Sequence, residues 1–495
     1  MELTFKEESI PCLLSTGGDI QDLEAVQEVK LPESMPDIGS VLGCWGQMLI
    51  RGKEWHTDRV SCNGGVLAWV LYAPEDGSYP RMVECWIPMQ CKWECPTDTR
   101  EGVIGVRAAL KSVDARSTSA RKLMVRAGAA MACMLHSRTS IPVWTPEGLP
   151  EDIQVLMQTY PMELPVEAGE KLVTLDDEVH IPGEDVQILN YRLMPKITDQ
   201  KLLGQRLIFR GNGLVRILYR DGQMTIRSFD TSIPFSQFAE LDGEFGPDAW
   251  VALDPQVTNL EMEKTPEGSF RLKAGMVIQY TVYDKLHIRV AEDAYSPFRE
   301  VTQQKQKLEL PAVLDRTTEM LRPEQTVPEA AEILDVAWMH DLPRVRREME
   351  TAQVELNGLM QALYVNQEGQ LVCHTGRTCV RREYRADDQC RIYPYMETDM
   401  MTETVVTPEG TLLRPEVQLQ LQTVFDSGIG MVQALEAGEL TQPDPNRPSV
   451  ILCRCGGRNL WELAKDCRST VEAIQKANDL TQDPAPEGFL LIPVL

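Results

Sequence analysis

Apolar and polar residues alternate with a period of two along most of this 495-residue chain, the pattern of strands with one buried face. "FRLKAGMVIQYTVYD" and "LLRPEVQLQLQTVFD" show it most cleanly. Three other runs pass from polar to apolar and close in Leu-Tyr: "SCNGGVLAWVLY" at Tyr72, "IFRGNGLVRILY" at Tyr219 and "VELNGLMQALY" at Tyr364. The tyrosines stand 147 and 145 residues apart. Thirty-one positions before each lies a β-branched residue followed by leucine: Val41-Leu42, Ile188-Leu189 and Ile333-Leu334. Four positions earlier again come Asp37, Glu184 and Glu329. "TPEG" at Thr265–Gly268 and Thr407–Gly410 precedes the threonine of "TVYD" or "TVFD" by sixteen positions in both cases, while a third "TPEG", Thr145–Gly148, is out of register.

These offsets predict a mainly β chain of three tandem antiparallel repeats, over residues 1–150, 151–298 and 299–440. Turns are expected at "PEDG", "RDGQ", "NQEG" and "TPEG". Asn212-Gly213 and Asn357-Gly358 suit a turn or a bulge, and the three tyrosines suit the core. The four-residue step from acid to apolar pair allows a short helix at "ESMPDIGSVLGCW", with Ser34 as cap and Pro36 in the first turn. There the aligned acids would cap helices or bind backbone amides. Linkers are expected around Trp144–Pro150, around Glu292–Pro297 and at 441–448 within "LTQPDPNRPS".

The pattern changes after that last linker. "SVILCRC" reads as a strand, and Leu460, Trp461, Leu463, Ala464 and Cys467 recur at helical spacing behind Asn459. Ser469 and Glu472 match the S-x-x-E capping box of a second helix, with Val471, Ile474 and Ala477 inward and Asn478 at its end. "GFLLIPVL" closes the chain as a strand. Residues 449–495 thus predict a small α+β unit of order βααβ. Its expected core is Leu460, Trp461, Ala464, Val471, Ile474, Asn478, Leu491, Ile492 and Pro493. Its exposed side chains, Arg458, Asn459, Glu462, Lys465, Asp466, Arg468 and Lys476, are the expected docking surface.

Charge and composition narrow the functions. With 74 acidic residues against 49 Lys and Arg, the formal charge is −25, which disfavours nucleic acid and anionic lipid. No run of about 18 apolar residues suggests a membrane span, and the start lacks a basic, then apolar, secretory signal. Thirteen cysteines, none between 134 and 372, suit reduced cytosolic thiols better than a disulfide framework. Neither Cys85/Cys91/Cys95 nor Cys373/His374/Cys379 has the paired spacing of structural zinc, and Cys453-x-Cys455 lacks further ligands, so no metal is expected. Phosphate-binding, hydrolase and zinc-protease motifs are missing, so neither a cofactor nor an enzyme is expected.

The terminal unit resembles the LysM domain. "NLWELA" stands for its L-W-x-I-A, "STVEAIQKANDL" for its second helix, and "GFLLIP" for its G-x-x-L-x-I-P, one residue shorter. LysM domains usually bind N-acetylglucosamine polymers through the loops after strand one and helix two. Where they carry G-D-T before Leu-Trp, this chain has Gly457-Arg458-Asn459. A LysM-like ending behind three β repeats, the first opening with "KLPESMPDIGSVL", resembles the SPOCS-domain family of spore-forming Clostridia, specifically spore coat morphogenetic proteins of the SipL type. The resemblance implies a non-enzymatic scaffold in the mother-cell cytoplasm. It would dock the oligomeric coat-basement ATPase at the forespore surface, with other coat proteins, through the LysM-like domain. The alternative is a peptidoglycan- or N-acetylglucosamine-binding LysM protein.

Overall fold

The two-residue alternation is realised as long antiparallel strands. A computed structural model describes residues 2–56, 58–95, 102–387, 390–441, 447–480 and 488–495. Most of the expected linker at 441–448 therefore lies outside the described residues. The chain is mainly β, as its periodicity predicts.

Three consecutive stretches lay down strands in one order. In the first, β1 (Glu2–Gly17) and β2 (Gln21–Lys30) pair end to end along β7 (Lys122–Pro146), whose hairpin partner is β6 (Gly102–Ser119). Between them β3 (Ile38–His56), β4 (Arg59–Pro74) and β5 (Arg81–Glu94) form a separate meander. In the second, β8 (Gln154–Val179) pairs with β13 (Phe270–Tyr295), whose hairpin partner is β12 (Trp250–Lys264). The meander there is β9 (Gln187–Leu203), β10 (Arg206–Arg220) and β11 (Ile226–Glu240). In the third, β14 (Val301–Leu321) and β15 (Gln325–Val327) run along β21 (Gly410–Ala437), the hairpin partner of β20 (Cys390–Thr407). Here β18 (Thr351–Asn366) lies between β19 (Leu371–Arg385) and the pair β16 (Ala330–His340) and β17 (Arg344–Glu348). The long strands of all three stretches join into one sheet, through β1 on β21 and β14 on β8.

The sequence landmarks fall at matching points. Val41 faces Tyr72, Ile188 faces Tyr219 and Ile333 faces Tyr364 across adjacent strands. In each case the following leucine, Leu42, Leu189 or Leu334, has no cross-strand partner, because the register shifts by one there. All three tyrosines are buried. The short helix allowed at "ESMPDIGSVLGCW" is absent: the chain turns over residues 33–35 and enters the bulged strand β3 at Ile38. A bulge lets two residues oppose one, so apolar positions depart from strict alternation and imitate a helical step. None of these acids caps either described helix: Asp37 pairs with Arg121 at 2.6 Å, and Glu184 offers its backbone carbonyl to the Gly222 amide. The "TPEG" segments at 265 and 407 do turn hairpins, with Gly268 and Gly410 at positive φ.

The Asn-Gly pairs lie inside β10 and β18 rather than at turns. The glycine that matters is one residue earlier. A Cβ on Gly64 or Gly211 would lie 2.4 Å from the carbonyl oxygen of Leu49 or Lys196 on the neighbouring strand. Glycine permits this close approach, and the neighbouring strands, β3 and β9, stay continuous with bulges at Arg51 and Thr198. At the matching offset in the third stretch stands Leu356, and there the neighbour is interrupted between β16 and β17.

Apolar faces meet in two cores to which all three stretches contribute. One includes Trp45 and Trp69, Leu189 and Phe209, and Leu334 and Leu363. The other includes Phe5 and Trp144, Leu164 and Ile288, and Leu308 and Leu435. Trp144, placed by the sequence in a linker, is thus a core residue on β7. Ionic contacts cross the same seams: Lys53 to Glu170 at 2.5 Å, Arg107 to Asp254 at 2.7 Å, Arg192 to Asp335 at 2.5 Å and Lys196 to Asp399 at 2.7 Å. His136 sits at the first seam, with Nδ1 2.9 Å from Ser15 Oγ and Nε2 3.4 Å from Thr281 Oγ1.

Two measurements test these packing arguments. Gly211→Val should disrupt β9 near Lys196 and lower the urea midpoint by the equivalent of more than about 2 kcal/mol. Gly430→Ala, with no atom near its added Cβ, should not. Burial, then the nearby Arg107 charge, pushes the His136 pKa from 6.5 down to about 4. Between those values the unfolded chain binds the extra proton, so its contribution is full above pH 6.5 and falls as the pH drops towards 4. The whole loss is about 3 kcal/mol at most, and His136→Gln should flatten that part of the stability–pH curve.

Candidate docking surface

The terminal unit is built from β22 (Val450–Arg454), α1 (Leu460–Asp466), α2 (Val471–Ala477) and β23 (Phe489–Pro493), with the two strands antiparallel. Its helices are short, so their ends decide whether they form. Asn459 caps α1 by accepting from the Glu462 amide at 2.8 Å. At the other end the amides of Arg468 and Ser469 close back on the carbonyls of Lys465 and Ala464, with Arg468 at φ 54°. That closure uses the Ser469 backbone, so Ser469 is buried and Thr470, not Ser469, caps α2 by accepting from the Ala473 amide. Asn478 ends α2 and ties it to β23, donating to the carbonyls of Ile474 and Leu491 and accepting from the Leu491 amide.

The core contains Leu460, Leu463, Ala464, Ile474, Leu490 and Ile492, with Val471 partly buried against it. Several expectations differ: Ala477, expected to face inward, is exposed, and Asn478 and Pro493 are only partly buried. Leu491 points to solvent and Leu490 takes its place, because neighbouring residues of a strand face opposite sides and Ile492 is buried. Trp461 is only partly buried, and its indole nitrogen donates to Asp293 at 2.8 Å.

Asp293 belongs to β13, in the segment read from sequence as a linker. A register shift at Glu292 precedes it, and Asp293 and Tyr295, two apart, both reach the terminal unit. Tyr295 enters the unit's core, meets Trp461 edge-on at 4.8 Å and donates to the Ser469 carbonyl at 2.9 Å. The Asp293 carboxylate accepts from Trp461, from Lys465 Nζ at 2.8 and 2.9 Å, and from Gln303 at 2.6 Å. Burial would raise its pKa, but these donors outweigh burial and hold it below the usual range.

The expected docking residues therefore divide. Lys465 is committed to Asp293, Asn459 to its cap, and Arg458 to Asp466 at 3.3 Å and to the Arg454 carbonyl. Glu462, Arg468 and Lys476 are exposed and make no ion pair among the described residues. A surface that single-residue reasoning missed lies on the sheet. Val450, Leu452, Phe489 and Leu491 are 50%, 63%, 65% and 46% exposed, and Leu452 lies directly opposite Leu491. Apolar side chains on both strands thus form one outward face. Alternation along "VILCR" and "FLLIP" carried that signal once the register of β23 was known. The loop after α2, at 481–487, lies outside the described residues.

Elsewhere, a cleft of about 360 Å³ between the first and second stretches is lined by Trp69, Glu84, Tyr191 and Glu261. The Trp69 indole and the Tyr191 hydroxyl both donate to Glu84, which binds the walls of the cleft together. Among the described residues no group of three or more His, Cys, Asp and Glu is arranged to hold a metal, and no helix is long and apolar enough to cross a membrane. The Cys91 thiol donates to Gln21 at 3.0 Å, Cys373 is pushed up to about 12 by burial and then Asp335, and all thirteen cysteines are free thiols.

Residues 186–265, from the second meander into the following hairpin, match the family model described as SipL, SPOCS domain. Such a domain suggests a role related to the sporulation coat. No curated protein and no solved structure matches the chain.

The Asp293 contact is directly testable. Asp293→Ala should leave the β stretches folded while speeding amide exchange in α1 and around Ser469, because Trp461 and Lys465 lose their shared acceptor. Unchanged exchange in α1 would show that Tyr295 alone fixes the unit.

Proposed function

We propose that this chain is a non-enzymatic scaffold of spore coat assembly. On this reading it comprises three copies of one β unit, at 1–150, 151–298 and 299–440, and a LysM-like unit at 449–495. The LysM-like unit docks an oligomeric coat-basement ATPase at the forespore surface, in the mother-cell cytoplasm, and other coat proteins join the assembly. The match over 186–265 supports the coat-related part of this reading. The observation that carries the docking part is the apolar outer face of β22 and β23. A unit of under fifty residues has little apolar surface to spare, yet four large side chains are left outside its core.

The reading moves the docking energy from the charged residues around α1 to the sheet. Partly exposed ion pairs contribute little, whereas apolar anchors at the centre of an interface contribute most. Glu462 and Lys476 would then lie at its rim.

Leu452→Glu and Phe489→Glu in the full chain should each weaken binding to the purified ATPase by about tenfold or more while leaving the melting temperature unchanged, since neither side chain is in the core. Calorimetry against the ATPase and against peptidoglycan fragments decides between partners. Unaltered affinity in both variants would remove the sheet face from the interface. Binding to glycan with none to the ATPase would overturn the docking reading in favour of sugar recognition.

A further inference from the structure

The second meander carries another surface, distant in sequence from the terminal unit and independent of its proposed role. Near the β9–β10 turn its outward side chains fall into cross-strand rows. Lys201, Ile208 and Phe238 form one row, Leu203, Arg206 and Glu240 the next, and Asp199, Arg210 and Ser236 a third. The far end of β9 is covered by the third stretch, where Arg192 and Lys196 pair with Asp335 and Asp399. From Asp199 onward that cover ends, and Phe238 and Leu203 are 45% and 48% exposed.

Two observations set this corner apart. First, Lys171, Lys201, Arg206 and Arg210 make no ion pair within 4 Å among the described residues, whereas many other cations of this chain do. The Lys171 and Arg206 charges instead lie 5.5 and 5.3 Å from the Phe238 ring. Second, a concavity of about 410 Å³, lined by Leu203, Gln205, Arg206, Glu240 and Leu241, opens at the same turn. Asp199 and Glu240 temper the positive charge without cancelling it, since four cations face two acids.

We propose that this corner is a docking site for a short acidic segment of a partner protein that carries an apolar anchor residue. The anchor enters the concavity beside Leu203 and Phe238, and carboxylates on either side meet Arg206 and Lys201. Charge complementarity selects this partner. In a chain of formal charge −25, a small basic corner attracts acid only at short range, since fields are screened over about 8 Å at physiological ionic strength. A nucleic acid or an anionic membrane extends beyond the corner and meets the acidic remainder, whereas a short peptide does not.

The test uses the full chain and three short fluorescent peptides. One is Glu-rich around a Leu-Phe pair, one has its Glu replaced by Gln, and one has Leu-Phe replaced by Ser-Ser. Anisotropy should show the first binding about tenfold or more tighter than either control, and weakening as salt rises. Arg206→Glu and Phe238→Ser should each lower that affinity by about tenfold or more at an unchanged melting temperature, while Arg206→Lys retains most of it. Equal binding of all three peptides, or no response to these variants, overturns the proposal. So does tighter binding to oligo-dT or to phosphatidylglycerol vesicles, which would make the corner a general polyanion site, and so does self-association lost in Arg206→Glu, which would make a second copy the occupant.

Discussion

Three strand pairs come into register around a tyrosine and a β-branched residue, and each leaves one leucine without a partner across the strand. Leu189 and Leu334 are buried in the same apolar core, and Leu42 packs against it. Burying a leucine stabilises by about 1.5–3 kcal/mol, more than a strand loses by omitting one ladder position. The bulge is thus the local price of a shared interior. Because that interior draws on all three stretches, the placement of each meander depends on the other two, and so do the joined long strands beneath them.

The charged contacts at the seams act differently. Removing Arg192 and Asp335 from water costs much of what their attraction returns, so this pair does not by itself hold the stretches together. Losing one partner, however, strands the other in a dry environment at a cost of about 3–5 kcal/mol. Such pairs penalise wrong placements more than they reward the right one. Arg107 shows how closely the alternatives are constrained, since it binds Asp254 of the second stretch and also lies 4.4 Å from the Tyr395 ring of the third.

What the sequence made legible follows from the same physics. The "TPEG" turns, the tyrosine positions and the cap of α1 are written locally, since Gly268 adopts positive φ and Asn459 satisfies a free amide, whereas the cap of α2 passed to Thr470 because the Ser469 backbone closes α1. The bulges were misread because an inserted residue imitates a helical step. Leu491 was misassigned because it neighbours Ile492 on one strand, and strand alternation puts only one of the two in the core. Asp293 and Tyr295 were invisible as docking residues because their partners, Trp461 and Ser469, lie 168 and 174 residues away. Nothing in "EDAYSP" signals that contact, and its polar character favoured a linker instead.

The two exposed surfaces differ in the forces they offer a partner. The face of Leu452 and Phe489 gains from removing apolar area from water, so added salt should preserve or strengthen its contacts. The corner around Arg206 relies on charge, so salt should weaken it. The formal charge of −25 makes copies of the chain repel one another at short range, which opposes pairing of the exposed sheet face with itself. Pinning α1 to Asp293 contributes as well. It uses the helical side of the terminal unit for attachment, and it leaves the sheet as the side available to a partner.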